Sequence, residues 1–190
     1  MCSSIASARR AASLAAVVLA GAAPGTEREA KEPVSLAALL ARFRALPGLE
    51  ARFHEVKKLA LLKAPLVSEG TIHYAPPDRL ARQTTRPAFS TLIVDAFLKV
   101  LAGDRGALER IFAIELRGSA RGWTMALAPR LAPMTEVIER IVLEGRGAVV
   151  SKMVVREKDG DETVTTYSSV DVERRYTAEE RARVFGVAAR

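Results

Sequence analysis

Residues 53–87 decide the fold, and they read FHEVKKLALLKAPLVSEGTIHYAPPDRLARQTTRP. Polar and apolar side chains alternate along most of this stretch, which is the two-residue period of a strand with one face on a core and the other in solvent. Proline cannot donate to a central ladder, so Pro65, the Pro76-Pro77 pair and Pro87 divide the stretch into separate strands. The stretch therefore predicts long antiparallel strands joined by near-neighbour turns.

The same pattern recurs along the rest of the chain. Asp159-Gly160 is a strong signal for a tight hairpin between two of the later strands. Counted along the sequence, strands are predicted at residues 49–59, 66–74, 80–85, 91–94, 112–117, 123–128, 140–145, 149–157 and 162–168.

Helical signals surround these strands. Ser35 is a suitable N-cap, and Leu36, Leu39, Leu40, Phe43 and Leu46 follow it at helical spacing. Further helical segments are predicted at residues 96–101, 104–112 (with Asp104 as N-cap), 133–139 and 177–184. The fold class predicted from these elements is α+β, with helices lying on one face of a curved antiparallel sheet.

The first 22 residues have the composition of a secretory signal. Arg9 and Arg10 precede an apolar run, and Ala20-Gly21-Ala22 offers a small-residue cleavage site. The run is too short to cross the roughly 30 Å of a bilayer interior as a helix. We predict a cleaved signal peptide at residues 1–22, a flexible lead-in at 23–33 and one domain at 34–190; the alternatives are an uncleaved anchor or a misassigned start codon.

The chain is basic, with 29 Lys+Arg against 22 Asp+Glu and a formal net charge of +7. The basic residues are scattered among acidic ones, and aromatic residues make up only 5% of the chain, too few for base-stacking platforms. Nucleic acid is therefore not an expected partner. Dispersed positive charge fits a solvated surface or attraction to anionic lipid head groups.

No pattern of catalytic, cofactor-binding or metal-ligating residues stands out. His54 and His73 lie on neighbouring predicted strands and could face each other, but no third ligand is spaced to complete a metal site. Asp104 and Glu109 fit helix capping better than an acid–base pair. The sequence predicts a protein that is not an enzyme and needs no cofactor.

The candidate site is instead a set of apolar strand positions expected to gather on the concave, helix-covered side of the sheet. They form either a plain core or, if the sheet is wider than its helices can cover, a groove for an acyl chain. The candidate lipid-binding residues are Phe53, Leu59, Leu61, Ile72, Leu80, Leu92, Val94, Trp123, Met125 and Leu127.

Several segments, taken in order, resemble the periplasmic lipoprotein-carrier (LolA-type) family, and most closely a divergent branch that accompanies export of outer-membrane glycolipids or polyene lipids. They are LAALLARF at 36–43, Phe53-His54-Glu55, residues 59–70, YAPPDRL at 74–80, Thr85-Arg86-Pro87 before Leu92-Ile93-Val94-Asp95, Leu101-Ala102-Gly103-Asp104, the Trp123 strand ending at Pro129-Arg130, and Thr166-Tyr167-Ser168.

The resemblance implies a half-open β-barrel capped by helices, whose apolar cavity shields the acyl chains of a lipoprotein or another lipid on the way to the outer membrane. It implies a periplasmic monomer that meets an inner-membrane exporter and an outer-membrane acceptor. A protein-binding adaptor or sensor of an envelope complex with the same fold is the alternative. Pro76 stands where the family carries an arginine that latches a helical lid, so no such latch is expected. Asp95 runs directly into Ala96, which leaves about two strands fewer than the family pattern.

Overall fold

The computed structural model describes residues 33–84 and 99–186. Its strands are β1 (Leu49–Lys58), β2 (Leu66–Ala75), β3 (Arg79–Thr84), β4 (Phe112–Ser119), β5 (Gly122–Pro129), β6 (Ile138–Arg146), β7 (Val149–Glu157) and β8 (Glu162–Asp171). Its helices are α1 (Leu36–Arg44), α2 (Arg105–Ile111), α3 (Met134–Val137) and α4 (Ala178–Phe185), and residues 99–101 are also helical.

These eight strands form one antiparallel sheet in the order β3-β2-β1-β8-β7-β6-β5-β4. Eight of the predicted strands are confirmed. The signal peptide, the strand at 91–94, most of the helix at 96–101 and the expected shortening after Asp95 lie outside the described residues. Among the described residues, strands β3 and β4 are the two edges and do not pair with each other, so the sheet that these eight strands form is curved but unclosed.

Helix α1 covers one face of this sheet, which we call the inner face. The Ser35 hydroxyl caps the helix by accepting from the Ala38 amide, as predicted. Before the helix, the Val34 amide donates to the Gly118 carbonyl on edge strand β4 at 3.0 Å. Phe43 meets the Trp123 ring edge-on with centroids 5.9 Å apart, and Leu39, Leu40 and Phe43 are buried. The helix thus runs from the β4 edge toward the start of β1 and closes the core.

The C-terminal helix departs from the sequence-based expectation that every helix lies on one face. His73 alternates with the inner residues Ile72 and Tyr74, so its ring points to the outer face. There it contacts Tyr176, whose ring in turn packs edge-on against Phe185 of α4. Residues 72–75 are consequently buried on both faces of the sheet. The expectation was wrong for α4 because a buried polar residue, His73, supplies its docking point.

The predicted caps and turns hold. Asp104 accepts from the Ala107 amide at 2.9 Å, and Glu109 pairs with Arg105 one turn away rather than with Asp104. The short helix predicted near residue 133 is the single turn α3. Asp159-Gly160 forms the turn between β7 and β8, where the Glu157 amide donates to the Asp161 carbonyl at 2.9 Å.

Candidate functional site

The inner face has a continuous set of buried apolar side chains around Trp123. Its indole Nε1 donates to the Gly147 carbonyl at 2.9 Å, and its ring lies over Gly145 of the neighbouring strand, where any Cβ would collide with it. Met125 and Leu127 continue the same row along β5 and are fully buried. The facing inner positions on β6 and β7 are also apolar: Ile141, Leu143, Met153 and Val155.

The ten candidate residues do not all gather on this face. Phe53, Ile72, Trp123, Met125 and Leu127 are buried members of one core cluster, and Leu80 on edge strand β3 is half-buried against it. Leu59 is half-buried at the end of β1, while Leu92 and Val94 lie outside the described residues. Leu61 is 97% exposed in the loop between β1 and β2. The prediction that Leu61 lies on the concave face was wrong, because strand β1 ends at Lys58 and Leu61 lies in the loop after it.

A second region of the inner face is polar, and we call Glu55, Ser68, Arg82 and Thr165 the inner polar cluster. The Glu55 carboxylate accepts from Arg82 Nη1 at 3.0 Å and from the Thr165 hydroxyl at 3.0 Å. Arg82 Nη2 lies 2.9 Å from Oε1 of the same carboxylate, and Ser68 donates to that oxygen at 3.2 Å. A charge taken out of water is tolerated only when it is paired and hydrogen-bonded in this way.

Phe53 joins the two regions. Its ring fills the space above Gly70, where an added Cβ would lie 2.9 Å from two ring atoms. The Arg82 guanidinium carbon covers the ring 3.9 Å from its centroid, a cation–π contact. Close by, burial raises the pKa of the Tyr167 hydroxyl, so Tyr167 stays neutral. Phe53 is therefore held between a backbone and a guanidinium rather than presented to a ligand.

Two buried polar atoms beside this cluster lack a hydrogen-bond partner among the described residues, Arg82 Nε and Thr84 Oγ1. An unsatisfied buried donor is costly, so such atoms call for an explanation. Sequence reasoning missed the inner polar cluster. Its signal was present, however, because Glu55 falls in phase with Ala51 and Phe53, where the alternation predicts an apolar residue.

The structure keeps the two histidines apart. Along β1, His54 lies four residues beyond Glu50, the residue that pairs with His73, which is roughly 13 Å of strand. His54 instead approaches Glu69 at 3.8 Å. Glu157, Asp159 and Asp161 converge at the hairpin between β7 and β8, and Lys57 Nζ already pairs with two of these three carboxylates, at 2.9 Å from Glu157 and 3.9 Å from Asp161.

A pocket of about 330 Å³ also opens across β2, β1 and β8. Its lining consists of Arg52, His54, Glu69, Thr71 and Ser168, which are outer positions, together with the intervening residues Phe53 and Gly70. It is thus a polar depression that belongs to the outer face, and it does not have the chemistry of a site for an acyl chain.

The described residues thus form an unclosed antiparallel sheet with an apolar, helix-covered inner face. Residues 87–182, half of the 190, match the family model described as outer membrane lipoprotein carrier protein LolA-like. The chain belongs to this LolA-like family, as the resemblance in sequence indicated. None of the curated proteins compared with the chain matches it.

Solved structures with a similar fold include a LolA superfamily protein from Nitrosomonas europaea, at 9% identity and a TM-score of 0.43, covering 77% of this chain and 96% of that one. A DUF1329 family protein from Desulfovibrio piger has 10% identity and a TM-score of 0.37, with 78% and 94% covered. MucB has 12% identity and a TM-score of 0.40, with 82% and 64% covered. Superpositions this loose do not carry a function from one protein to another.

Within residues 33–84 and 99–186, no helix is both long and apolar enough to span a bilayer.

Proposed function

We propose that this protein is a periplasmic, non-enzymatic carrier that shields the acyl chains of a lipoprotein or another lipid during transfer to the outer membrane. Family membership supports the class of function. The proposal for this chain is supported mainly by one observation: the sheet is much wider than helix α1 is long.

The sheet is wider than α1, and residues 99–101 and α2 add only Val100, Leu101 and Leu108 to the same core cluster. Eight strands about 4.8 Å apart span roughly 34 Å, whereas the nine residues of α1 are about 14 Å long. Inner positions near both edges are apolar yet only half-buried: Leu80 on β3, and Ile114 and Leu116 on β4. Apolar surface of this kind gains free energy when a hydrocarbon chain removes it from water.

The inner polar cluster gives this face a second chemistry. Arg82 Nε and Thr84 Oγ1 are a donor and a hydroxyl beside the buried ring of Phe53. An ester or amide oxygen of an acylated cargo would accept a hydrogen bond from these groups while its chain covers the half-buried apolar positions near the sheet edges. The polar groups thus supply orientation, and the half-buried apolar positions supply most of the binding free energy.

Displacement of a fluorescent fatty acid from the purified protein tests the carrier proposal. Leu116→Asp places a charge on the inner side of β4 next to Met125, its pairing partner. Ala113→Asp is the matched control, because Ala113 is exposed on the outer side of the same strand. Probe affinity is expected to fall about tenfold or more in Leu116→Asp, given 1.5–3 kcal/mol for burying a leucine-sized group, and to stay unchanged in Ala113→Asp.

The alternative, a protein-binding adaptor or sensor of an envelope complex, gives a different result. Mass spectrometry of lipids that co-purify with the protein separates the two. A reproducible acylated species supports the carrier, whereas a lipid-free protein whose probe affinity is the same in both variants contradicts it.

A further inference from the structure

The large exposed apolar side chains of the described residues share one end of the sheet. Five paired residues mark this end as a continuous row across the strands: Lys57, Thr163, Val155, Ile141 and Leu127. Beyond that row β1, β5 and β7 end, and β2, β6 and β8 begin. We call the loops and strand ends beyond it the apolar rim, because they carry Leu61, Leu62, Leu66, Val67, Leu131 and Val137, each 41–97% exposed.

The loop between β1 and β2 is the most prominent part of the apolar rim. Residues 60–67 read ALLKAPLV, and all eight are exposed. A closed turn holds Leu61 out, since the Leu62 amide donates to the Leu59 carbonyl at 3.0 Å. The loop is anchored at its base, because the Ala60 amide donates to the Asp161 carboxylate at 2.8 Å. The leucines are therefore held in an exposed position by a hydrogen-bonded turn.

The other exposed side chains lie across the sheet from this loop. Val137 is tied to the hairpin between β7 and β8, where the Lys158 amide donates to its carbonyl at 2.9 Å. Leu131 follows the end of β5, four strand steps or roughly 19 Å from β1. Protruding side chains this widely spaced do not form a groove for a peptide. They fit a soft, flat surface that yields around each of them.

The charge of the loop between β1 and β2 favours an anionic surface, and two of the three acidic residues at the adjoining hairpin, Glu157 and Asp161, are paired with Lys57. Residues 57–67 contain Lys57, Lys58 and Lys63 and no acidic residue. Lys57 is engaged by Glu157 and Asp161, which leaves Lys58 and Lys63 as exposed cations beside the leucines. Leucines flanked by lysines suit the boundary between anionic head groups and acyl chains.

From this placement we propose that the apolar rim is a membrane-docking surface, with Leu61 and Leu62 inserting into a bilayer that contains anionic phospholipid. Docked in this way, the end of the inner face next to Glu55 and Leu66 faces the bilayer. The inference goes beyond acyl-chain carriage and does not require it, because a protein can dock on a bilayer without removing lipid from it.

Flotation of the full chain with vesicles of phosphatidylcholine, with and without about a third phosphatidylglycerol, tests the proposal. The unaltered protein is expected to float with the anionic vesicles. Leu61→Ser/Leu62→Ser is expected to weaken binding by about tenfold to a hundredfold per leucine fully inserted. Lys58→Ser/Lys63→Ser is expected to weaken it by several-fold at low salt and less at high salt. The control is Arg121→Ser, which removes an exposed cation from the turn between β4 and β5 at the opposite end of the sheet.

A local probe gives a second readout that does not depend on affinity. A tryptophan placed by Leu61→Trp should shift to the blue and be quenched by brominated lipid when anionic vesicles are added, and one placed by Arg121→Trp should not. Equal flotation of the leucine double variant and the unaltered protein, or equal quenching at both positions, overturns the proposal. Fatty-acid probe affinity should be unchanged in the leucine double variant, so failure of docking and failure of carriage are separate results.

Discussion

Arg82 on β3 and Glu55 on β1 form a two-point ion pair across β2, with Nη1 3.0 Å from Oε2 and Nη2 2.9 Å from Oε1. Their side chains are only 16% and 11% exposed. A paired geometry of this kind fixes both side chains, and Arg82 in turn covers Phe53. The pair therefore sets the shape of the inner polar cluster.

Removing one partner of this pair should destabilise the fold. Glu55→Gln leaves the Arg82 guanidinium buried without a counter-charge, and we expect a loss of about 3–5 kcal/mol in the free energy of unfolding. Urea titration followed by circular dichroism measures it. Glu109→Gln breaks the exposed pair with Arg105 and should cost less than about 0.5 kcal/mol. Equal losses in the two variants would show that the buried pair does not stabilise the fold.

Close packing of Trp123 on Gly145 predicts an effect of a single methyl group. Gly145→Ala places a Cβ against the indole ring and the Val149 carbonyl, and should cost about 1–3 kcal/mol. The chain has one tryptophan, so its fluorescence reports the displacement directly. Gly122→Ala is the matched control on the neighbouring strand, since nothing lies within 4 Å of its added Cβ. Unchanged emission and stability in Gly145→Ala would contradict the close packing.

The His73 contact with Tyr176 predicts a pH dependence. The Tyr176 hydroxyl donates to the Leu49 carbonyl at 2.8 Å, so it accepts from His73 Nδ1–H at 3.2 Å, and Nε2 is left buried without a partner among the described residues. Burial lowers the pKa of His73 from its ordinary 6.5; Arg174 adds to the lowering, and Glu50 opposes it. The unfolded chain then binds the proton more readily than the folded one.

Stability from this group is complete above pH 6.5 and is lost as pH falls from 6.5 toward the lower folded-state value. We expect the free energy of unfolding of His73→Asn to change less between pH 7.5 and about 5 than that of the unaltered protein. His54→Asn, at an exposed outer position, is the control. If His73→Asn has the same pH dependence as the unaltered protein, His73 is not the titrating group.

A substitution at Thr84 tests the polar contact proposed between the protein and the ester or amide of the cargo. Thr84→Val keeps the shape of the side chain and removes a buried hydroxyl that has no partner among the described residues. Stability without lipid should rise by about 1 kcal/mol, because the cost of an unsatisfied group is removed. Affinity for an acylated ester should fall, whereas affinity for a plain hydrocarbon probe should not. A fall in both affinities, or in neither, would argue against a polar contact at Thr84.

Local signals in the sequence predicted most of the architecture. Alternation identified the strands, and side-chain caps such as Ser35 and Asp104 located helix starts, because both depend on neighbours in the chain. The candidate site was harder to predict. Trp123 and Met125 are apolar in phase with the sheet whether they line a groove or fill a core. Packing against Phe43 places Trp123 in the core, and no local pattern encodes that contact.

Long-range polar contacts were also beyond the sequence. The phase of Glu55 marks it as an inner residue, but only the register of the four adjacent strands β3, β2, β1 and β8 brings it together with Arg82 and Thr165. Leu61 is an error of a different kind. Its hydrophobicity suggested burial, but the loop that follows Lys58 exposes it. His73 likewise gave no sign that it would dock α4 on the outer face.

The pairing of β1 with β8 has a consequence for how the chain folds. Glu55 and Thr165 are hydrogen-bonded although 110 residues separate them. Before β8 pairs with them, β1 and β7 each have a strand edge that is unpaired and open to other chains. Closing so long a loop is slow, because its entropy is lost before the contacts form. The last strand thus sets the length of time for which a newly made chain is vulnerable to aggregation.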